Sequence, residues 1–293
     1  MTDFDCIIIG RGPAGLSAAL YLSRANMRTL IIGKDDGALA KAERVENYFG
    51  ASGAPSGSEL IKKGCDQAVA LGAQLWQGEV MSVELGERGF IVECDNAGYT
   101  ADAVILATGA QRQSATVKNA AAFDGRGLSY CAVCDAFFYR GLTVAVLGDK
   151  DYALHELSVL LPIAKRCYLL TDGKPAPSLD GVQNVTCITS PIDRLEGEER
   201  LQRIVFADQS SIELDGLFVA LGVAGAGALA RKAGAEVDGQ SIRVDSSCST
   251  TLPGLFAAGD CIGGVLQASV AVGEGATAAL SAIAYIKKNR KDK

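Results

Sequence analysis

Along this chain, short uninterrupted apolar runs alternate with stretches whose apolar residues recur at helical spacing. That pattern predicts buried parallel strands joined by helices. Residues 3–9 form the first apolar run, and residues 10–15 a glycine-rich turn. A helical pattern then reaches Arg24, and residues 29–32 form a second run. Ser58 is the expected N-cap of a helix to about residue 71. Residues 76–85, 89–94 and 98–101 read as a small meander turning at 96–98, and residues 104–107 as a buried strand. Strand 142–147, helix 152–164 and strand 167–170 then repeat the opening unit in outline. Residues 182–190, 201–207 and 211–214 supply further strands, and 217–222 a central one. Residues 251–260 return to the first sheet, and an alanine-rich helix runs from about 267 to 288. The fold expected is α/β, with two Rossmann-like dinucleotide-binding domains, the second inserted into the first. Residues 1–114 and 246–293 make one domain and 115–245 the other, with crossings near 112–117 and 243–246.

The 293 residues are enough for two such domains, and 48% hydrophobic content with 34 glycines suits large cores and tight turns. A net charge of −6 argues against a nucleic-acid partner. The basic C-terminal residues Lys287, Lys288, Arg290, Lys291 and Lys293 read as a solvated helix end that complements the helix dipole. The first strand begins close to Met1, leaving no room for a signal peptide, and no apolar run reads as long enough to span a bilayer. Nine cysteines, an odd number, do not form a secreted disulfide framework. The expectation is a cytoplasmic protein in reducing surroundings with no membrane partner.

Two motifs carry chemistry. Gly10-Arg11-Gly12-Pro13-Ala14-Gly15 stands between an apolar run and a helical pattern, the context in which a glycine fingerprint is informative. Gly10 makes the turn, Gly12 lets backbone approach a pyrophosphate, and Gly15 lets helix and strand pack closely. The acid expected after the second strand is absent: Gly33-Lys34 stands there, with Asp35 and Asp36 beyond. The other motif is Cys131-Ala132-Val133-Cys134-Asp135. Cys-x-x-Cys reads as a redox dithiol or as half a zinc site. Zinc would need a second closely spaced pair. Cys167 and Cys187 stand alone and His155 is the only histidine. If residues 132–138 open a helix, its first amides favour a thiolate. Asp135 is placed to move a proton, or simply to cap that helix.

Taken with Phe256-Ala257-Ala258-Gly259-Asp260, these motifs resemble the low-molecular-weight thioredoxin reductases, flavoproteins with two dinucleotide folds. The similarity extends to Val45-Glu46-Asn47, Ala107-Thr108-Gly109-Ala110, Gly125-Arg126-Gly127, Phe137-Phe138-Tyr139-Arg140 and Gln267-Ala268. The resemblance implies FAD in the first domain and a homodimer. It implies that Gly10, Gly12, Pro13, Ala14, Gly15, Gly33, Lys34, Val80, Gly109 and Gly259 lie against the cofactor. Asn47 and Thr108 would lie along it, Asp260 at the ribitol, and Gln267 and Ala268 at the isoalloxazine. The arginine usual before that glutamine is Leu266 here. Cys134 would exchange electrons with the flavin, Cys131 would attack the substrate disulfide, and Asp135 would be the acid/base.

The chain departs from the family in its second nucleotide unit. The turn reads Gly148-Asp149-Lys150-Asp151-Tyr152-Ala153, with acids where a pyrophosphate would lie. The family's His-Arg-Arg cluster is replaced by Thr171-Asp172-Gly173, followed by the proline-rich Lys174-Pro175-Ala176-Pro177. NADPH is therefore not expected, and the altered pocket is open to another ligand such as a second flavin. The resulting expectation is a reductase resembling the ferredoxin-dependent flavin thioredoxin reductases and the related two-flavin disulfide oxidoreductases. Electrons would come from a ferredoxin-like donor and pass through Cys131 and Cys134 to thioredoxin or a similar disulfide. The alternatives are a dithiol oxidase that passes electrons to oxygen, an NADH-dependent disulfide reductase, and a non-catalytic redox sensor.

Overall fold

The computed structural model describes residues 3–95, 97–109, 117–123, 125–130, 132–179, 182–221, 226–239 and 241–291; the side chains of Val133, Cys134 and Lys291 also lie outside the description. The chain forms two compact units, residues 1–111 with 225–293, and residues 112–224.

The first unit opens with β1 (Phe4–Ile9), α1 (Pro13–Arg24) and β2 (Thr29–Ile32). Every residue of both strands is buried, as expected of β-branched runs covered on both faces of a parallel sheet. Next come α2 (Gly57–Ala70), β3 (Gln74–Trp76), β4 (Val80–Leu85), β5 (Phe90–Cys94) and β6 (Ala97–Leu106). The sheet order is β3-β2-β1-β6-β5-β4. β6 pairs antiparallel with β5 over its first half and parallel with β1 over its second. The last strand of the meander and the buried strand expected at 104–107 are thus one continuous element. Trp76 belongs to a separate parallel strand beside β2 rather than to the meander. The meander turns at Asp95, with φ +50°, and Ala97 and Gly98 already lie in β6. Asn96 lies outside the described residues. α2 starts two residues earlier than expected. Ser56, not Ser58, is its N-cap, because Ser56 and Glu59 form a reciprocal capping box.

The second unit contains β7 (Leu128–Ser129), α3 (Ala132–Asp135), β8 (Thr143–Leu147), α4 (Asp151–Leu160) and β9 (Arg166–Leu170). It continues with β10 (Val185–Ile188), β11 (Ile192–Glu196), β12 (Arg203–Phe206), β13 (Ser211–Glu213) and β14 (Gly216–Val219). A parallel sheet in the order β10-β9-β8-β14-β7 adjoins an antiparallel β11-β12-β13 ribbon. Ala145, Leu147, Leu170, Leu195, Leu217 and Val219 fill its core. α4 ends at Leu160 rather than 164. β11 escapes sequence reading because Leu195 is its one fully buried side chain.

The chain returns through α5 (Ala226–Ala233), β15 (Val237–Asp238), β16 (Ser241–Ile242), β17 (Leu255–Ala257) and α6 (Ala268–Lys291). The return crossing therefore falls at 225, earlier than the expected 243–246. α5 packs on β4, where Lys232 Nζ donates to Met81 O at 3.2 Å. At 8 residues this helix is shorter than the window over which helical periodicity declares itself. β17 pairs with the end of β6, and α6 crosses α1 closely. A Cβ on Gly275 would sit 2.1 Å from Ala14 O, and Ser17 Oγ donates to Val272 O at 2.7 Å.

By length and composition alone α6 is apolar enough to cross a membrane, contrary to the expectation of no such run. Its alanines make it so, and Ala271, Ala278, Ala279, Ala282 and Ile286 instead fill the core against α1 and the sheet. Nor is its basic end merely solvated. Arg290 Nη2 pairs with Asp5 Oδ1 at 2.5 Å and with Asp102 Oδ2 at 3.0 Å.

Candidate functional site

In the first unit the glycine turn has the geometry its spacing predicts. Gly10 has φ +111°, and a Cβ there would lie 2.2 Å from Ala107 O. A Cβ on Gly15 would lie 1.9 Å from Gly10 O, so the first turn of α1 rests directly on the chain leaving β1. Gly12 differs from both, because its Cβ would enter open space. Gly12 is also the N-cap of α1 and makes no side-chain cap, Pro13 is at N1, and the first turn carries no acid. The amides at this helix start are left for an anionic ligand.

The other residues expected at the cofactor lie in the same unit. Thr108 Oγ1 is buried and, among the described residues, has no hydrogen-bond partner. Gly109 follows with φ +74°. Asn47 Nδ2 donates to Gln267 Oε1 at 3.1 Å, joining residues 220 positions apart. Gln267 O accepts from Ala271 N at 3.0 Å, so Ala268 begins α6 directly behind that pair. Gly259 has φ +82°, and a Cβ there would lie 3.0 Å from Ala14 Cβ, which sets the turn starting at Asp260 against the start of α1. Val80 is buried at the start of β4. Gly33 backs onto Arg11, whose Cγ would meet an added Cβ at 2.8 Å. Lys34 Nζ pairs with the buried carboxylate of Glu79. A helix start without a cap, open space at Gly12 and an unpartnered buried hydroxyl fit the polar atoms of a dinucleotide.

Two acids of this unit were not legible as site residues. Glu79 is one. The other is Glu274 on α6, which accepts from Gly259 N at 2.8 Å. Burial pushes the Glu274 carboxyl up from its usual range, and the charge of Asp260 adds to the effect.

The dithiol segment belongs to the second unit. Cys131 and the side chain of Cys134 lie outside the described residues. The backbone from Ala132 is helical through Asp135, and a 3₁₀ turn follows over Ala136–Tyr139. A helical opening at 132–138 was the sequence expectation. Asp135 makes no side-chain cap on that turn; Ser129 Oγ donates to its Oδ2 at 2.7 Å. Capping alone therefore does not account for this acid. Ala132 N donates to Oε2 of Glu156 at 2.6 Å, and Glu156, on α4, is 1% exposed. This buried acid ties the residue between the cysteines to the neighbouring helix. Its only sequence signal is an acid at a core position of an apolar helix.

Downstream, Tyr139 is buried against Phe218 with ring centroids 5.2 Å apart, and burial followed by the charge of Asp135 pushes its hydroxyl pKa up. Phe137 and Phe138 are 71% and 73% exposed, and Arg140 lies 5.7 Å over the Phe137 ring. His155 stands half-buried on α4. The other described cysteines are free thiols, Cys65 and Cys187 partly exposed and the rest buried, and burial raises their thiol pKa values. Cys94 and Cys261 are pushed up to about 12, and Cys167 and Cys248 to about 11.

The second glycine turn is filled by the chain's own groups. Gly148 is required by packing, since its Cβ would lie 2.3 Å from Ala220 O. Asp149 Oδ1 pairs with Lys174 Nζ at 3.1 Å, and Asp151 sits in the first turn of α4. Asp172, with φ +50°, accepts from Ile192 N at 2.7 Å, and Thr171 Oγ1 donates to Lys174 O at 2.5 Å. The loop after β9 is thereby folded back over the turn.

A family model described as pyridine nucleotide-disulphide oxidoreductase matches residues 4–153 and 182–275. The chain is 33% identical over 307 residues to a thioredoxin reductase of Aquifex aeolicus (strain VF5), covering 98% of this chain and 95% of that one. It is similar to the crystal structure of the atypical thioredoxin reductase TRi from Desulfovibrio vulgaris Hildenborough, with a TM-score of 0.91 and 40% identity, covering 97% of this chain and 98% of that one. A ferredoxin-flavin thioredoxin reductase from Clostridium acetobutylicum is similar at a TM-score of 0.70 and 30% identity, covering 98% of both chains. Matched by that family model over most of its length and aligned to these relatives over nearly all of it, the chain belongs to the thioredoxin reductase family of pyridine nucleotide-disulphide oxidoreductases.

Proposed function

We propose that this chain is an FAD-dependent disulfide reductase that takes electrons from a one-electron protein donor of the ferredoxin type rather than from NADPH. It delivers them through Cys131 and Cys134 to thioredoxin or a similar disulfide protein. The observation that carries this reading is the second glycine turn. Asp149 and Asp151 put negative charge at the start of α4, and Lys174 already neutralises Asp149 from within the fold. No guanidinium stands at Thr171-Asp172-Gly173 to receive a 2′-phosphate. A structural relative named for ferredoxin supports the donor class. The working form is a cytoplasmic homodimer.

The first unit's glycine turn and α1 hold the pyrophosphate, and Asn47, Thr108, Asp260 and Gln267 supply polar contacts along the rest of the cofactor. FAD bound there would supply the exchange between one-electron and two-electron chemistry that such a donor requires. At the dithiol, the Cys131 thiolate attacks the substrate disulfide and forms a mixed disulfide. Cys134 then displaces the substrate as a dithiol and closes the Cys131–Cys134 bond. The substrate gains two electrons and two protons. Asp135, held by Ser129, moves the proton. The exposed Phe137 and Phe138, a few residues along the chain from the Cys-x-x-Cys segment, give a protein substrate an apolar surface.

Anaerobic titration followed by flavin absorbance tests the reading. Reduced ferredoxin is expected to bleach the flavin, while NADPH and NADH leave it oxidised. Rapid bleaching by NADPH would overturn the donor assignment. Bleaching by small dithiols, with peroxide on admitting air, would replace it with the oxidase reading.

A further inference from the structure

Nucleotide folds of this kind grip the adenosine ribose with an acid at the end of the second strand. Here that position is Gly33-Lys34. The acids just beyond it are already engaged. Asp36 pairs with Arg11 Nη2 at 3.0 Å, and Asp35 Oδ1 accepts from Gly37 N at 2.8 Å. We propose that Glu79, entering from the segment before β4, supplies the missing carboxylate and accepts the adenosine ribose hydroxyls of FAD, with Lys34 holding it in place. The assignment rests on the FAD reading above and adds to it a residue at the adenosine end.

Glu79 is 8% exposed. Its Oε2 accepts from Lys34 Nζ, which fixes the carboxylate beside the end of β2. Its Oε1 is fully buried and, among the described residues, has no donor. A carboxylate oxygen held dry without a donor is costly, and a ribose hydroxyl would satisfy it. The backbone brings Glu79 to this place independently of Lys34. Gly33 N donates to Trp76 O at 3.1 Å and Gly78 N to Gly33 O at 3.4 Å, so residues 76–78 run alongside the end of β2. Glu79 N donates to Asp95 Oδ1 at 3.3 Å, and Glu79 O accepts from Asp95 N at 3.1 Å. Gly78 leaves no room for a side chain, since its Cβ would lie 2.5 Å from Cys94 Sγ. The acid has thus moved from one strand end to the neighbouring connection, and a lysine occupies its former place.

The test uses flavin-free protein refilled with FAD or FMN, with binding read by flavin fluorescence and folding by the melting temperature of the flavin-free form. Glu79→Gln is expected to weaken FAD by about tenfold or more and to leave FMN, which lacks the adenosine, unchanged. The wild type is expected to prefer ADP over 2′,3′-dideoxy-ADP by about tenfold, and Glu79→Gln to abolish that preference. Glu79→Asp keeps the charge and shortens the arm, so it should lose the preference while the flavin-free melting temperature stays near wild type. FAD affinity and ADP preference unchanged in both variants would overturn the role of Glu79. Wild-type protein that binds neither FAD nor ADP would overturn the cofactor reading beneath it.

Discussion

The turns at residues 10–15 and 148–153 occupy the same topological place, each leading from a central parallel strand into a helix, yet the chain uses them in opposite ways. Before α1 the helix start is bare, with Gly12 facing open space and no acid in the first turn. Before α4 the helix start also lacks a side-chain cap, but it carries Asp151 in its first turn, and Asp149 just ahead of it is paired to Lys174. Gly10, Gly15 and Gly148 all persist because a Cβ would strike backbone oxygen at 1.9–2.3 Å. A glycine kept for packing says nothing about a ligand. The informative position is the one where a side chain would fit and none is present, and among these turns that is Gly12.

The largest expected effect separates the two turns by their cofactor. Gly15→Val drives a branched side chain into Gly10 O, so it should abolish flavin retention and destabilise the first unit by more than the usual 1–3 kcal/mol of overpacking, roughly. Gly148→Ala meets a comparable obstacle at Ala220 O but should keep its flavin, read as absorbance per folded chain. Loss of flavin in that variant would erase the contrast between the turns.

A smaller effect comes from rebuilding the second turn. Combining Asp149→Gly, Lys150→Gly and Asp151→Asn with Lys174→Ala removes two acids and the internal counter-ion. Calorimetry should then detect nucleotide binding at least about tenfold tighter than in the parent, the gain expected from charge-assisted phosphate contacts. If the rebuilt turn binds no better, the block lies elsewhere in the second unit.

The smallest effect concerns how the first unit is braced. Burial is the largest single influence on Asp5 and pushes its carboxyl up. The Arg28 amide and guanidinium, together with Arg290, outweigh that and hold it below the usual range. A lowered folded value adds stability above the ordinary carboxylate range, and that stability disappears as pH falls through the folded value. Arg290→Ala should therefore cost about 1 kcal/mol near neutrality, since Arg28 remains and Arg290 is half exposed. In denaturant titrations the cost should shrink towards zero in strong acid. A cost independent of pH would assign it to packing of the arginine stem instead.

Much of this was legible beforehand, for definite reasons. Residues of β1, β2 and β8 form continuous apolar runs, which declare themselves without knowledge of their neighbours. The Cys131/Cys134 pair and the 10–15 fingerprint are local in sequence, so spacing is enough to find them. The start of α2 was misplaced because two serines compete for the cap, and only the Glu59 carboxylate, reaching back to Ser56, decides between them. α5 went unseen because its 8 residues are fewer than the window over which helical periodicity can be read. Glu79 was missed because it looks like an ordinary surface acid in the sequence, and Glu156 because its one signal, an acid at a core position of an apolar helix, names no partner. Their importance comes from burial, and burial is a property of what packs over them.

Hydrophobic periodicity and motif spacing alone determined the class of fold and where the Cys-x-x-Cys pair lies, since those depend on residues within a few positions of one another, and the family followed from what the motifs together resemble. They also revealed that the second turn carries acids. Only the tertiary structure decided which of those charges are already neutralised, that Asn47 meets Gln267 across 220 positions, and that a carboxylate from before β4 reaches the end of β2. Electrostatics and hydrogen bonding act over a few ångströms of space, and the chain reaches those distances only by folding residues far apart in sequence against each other.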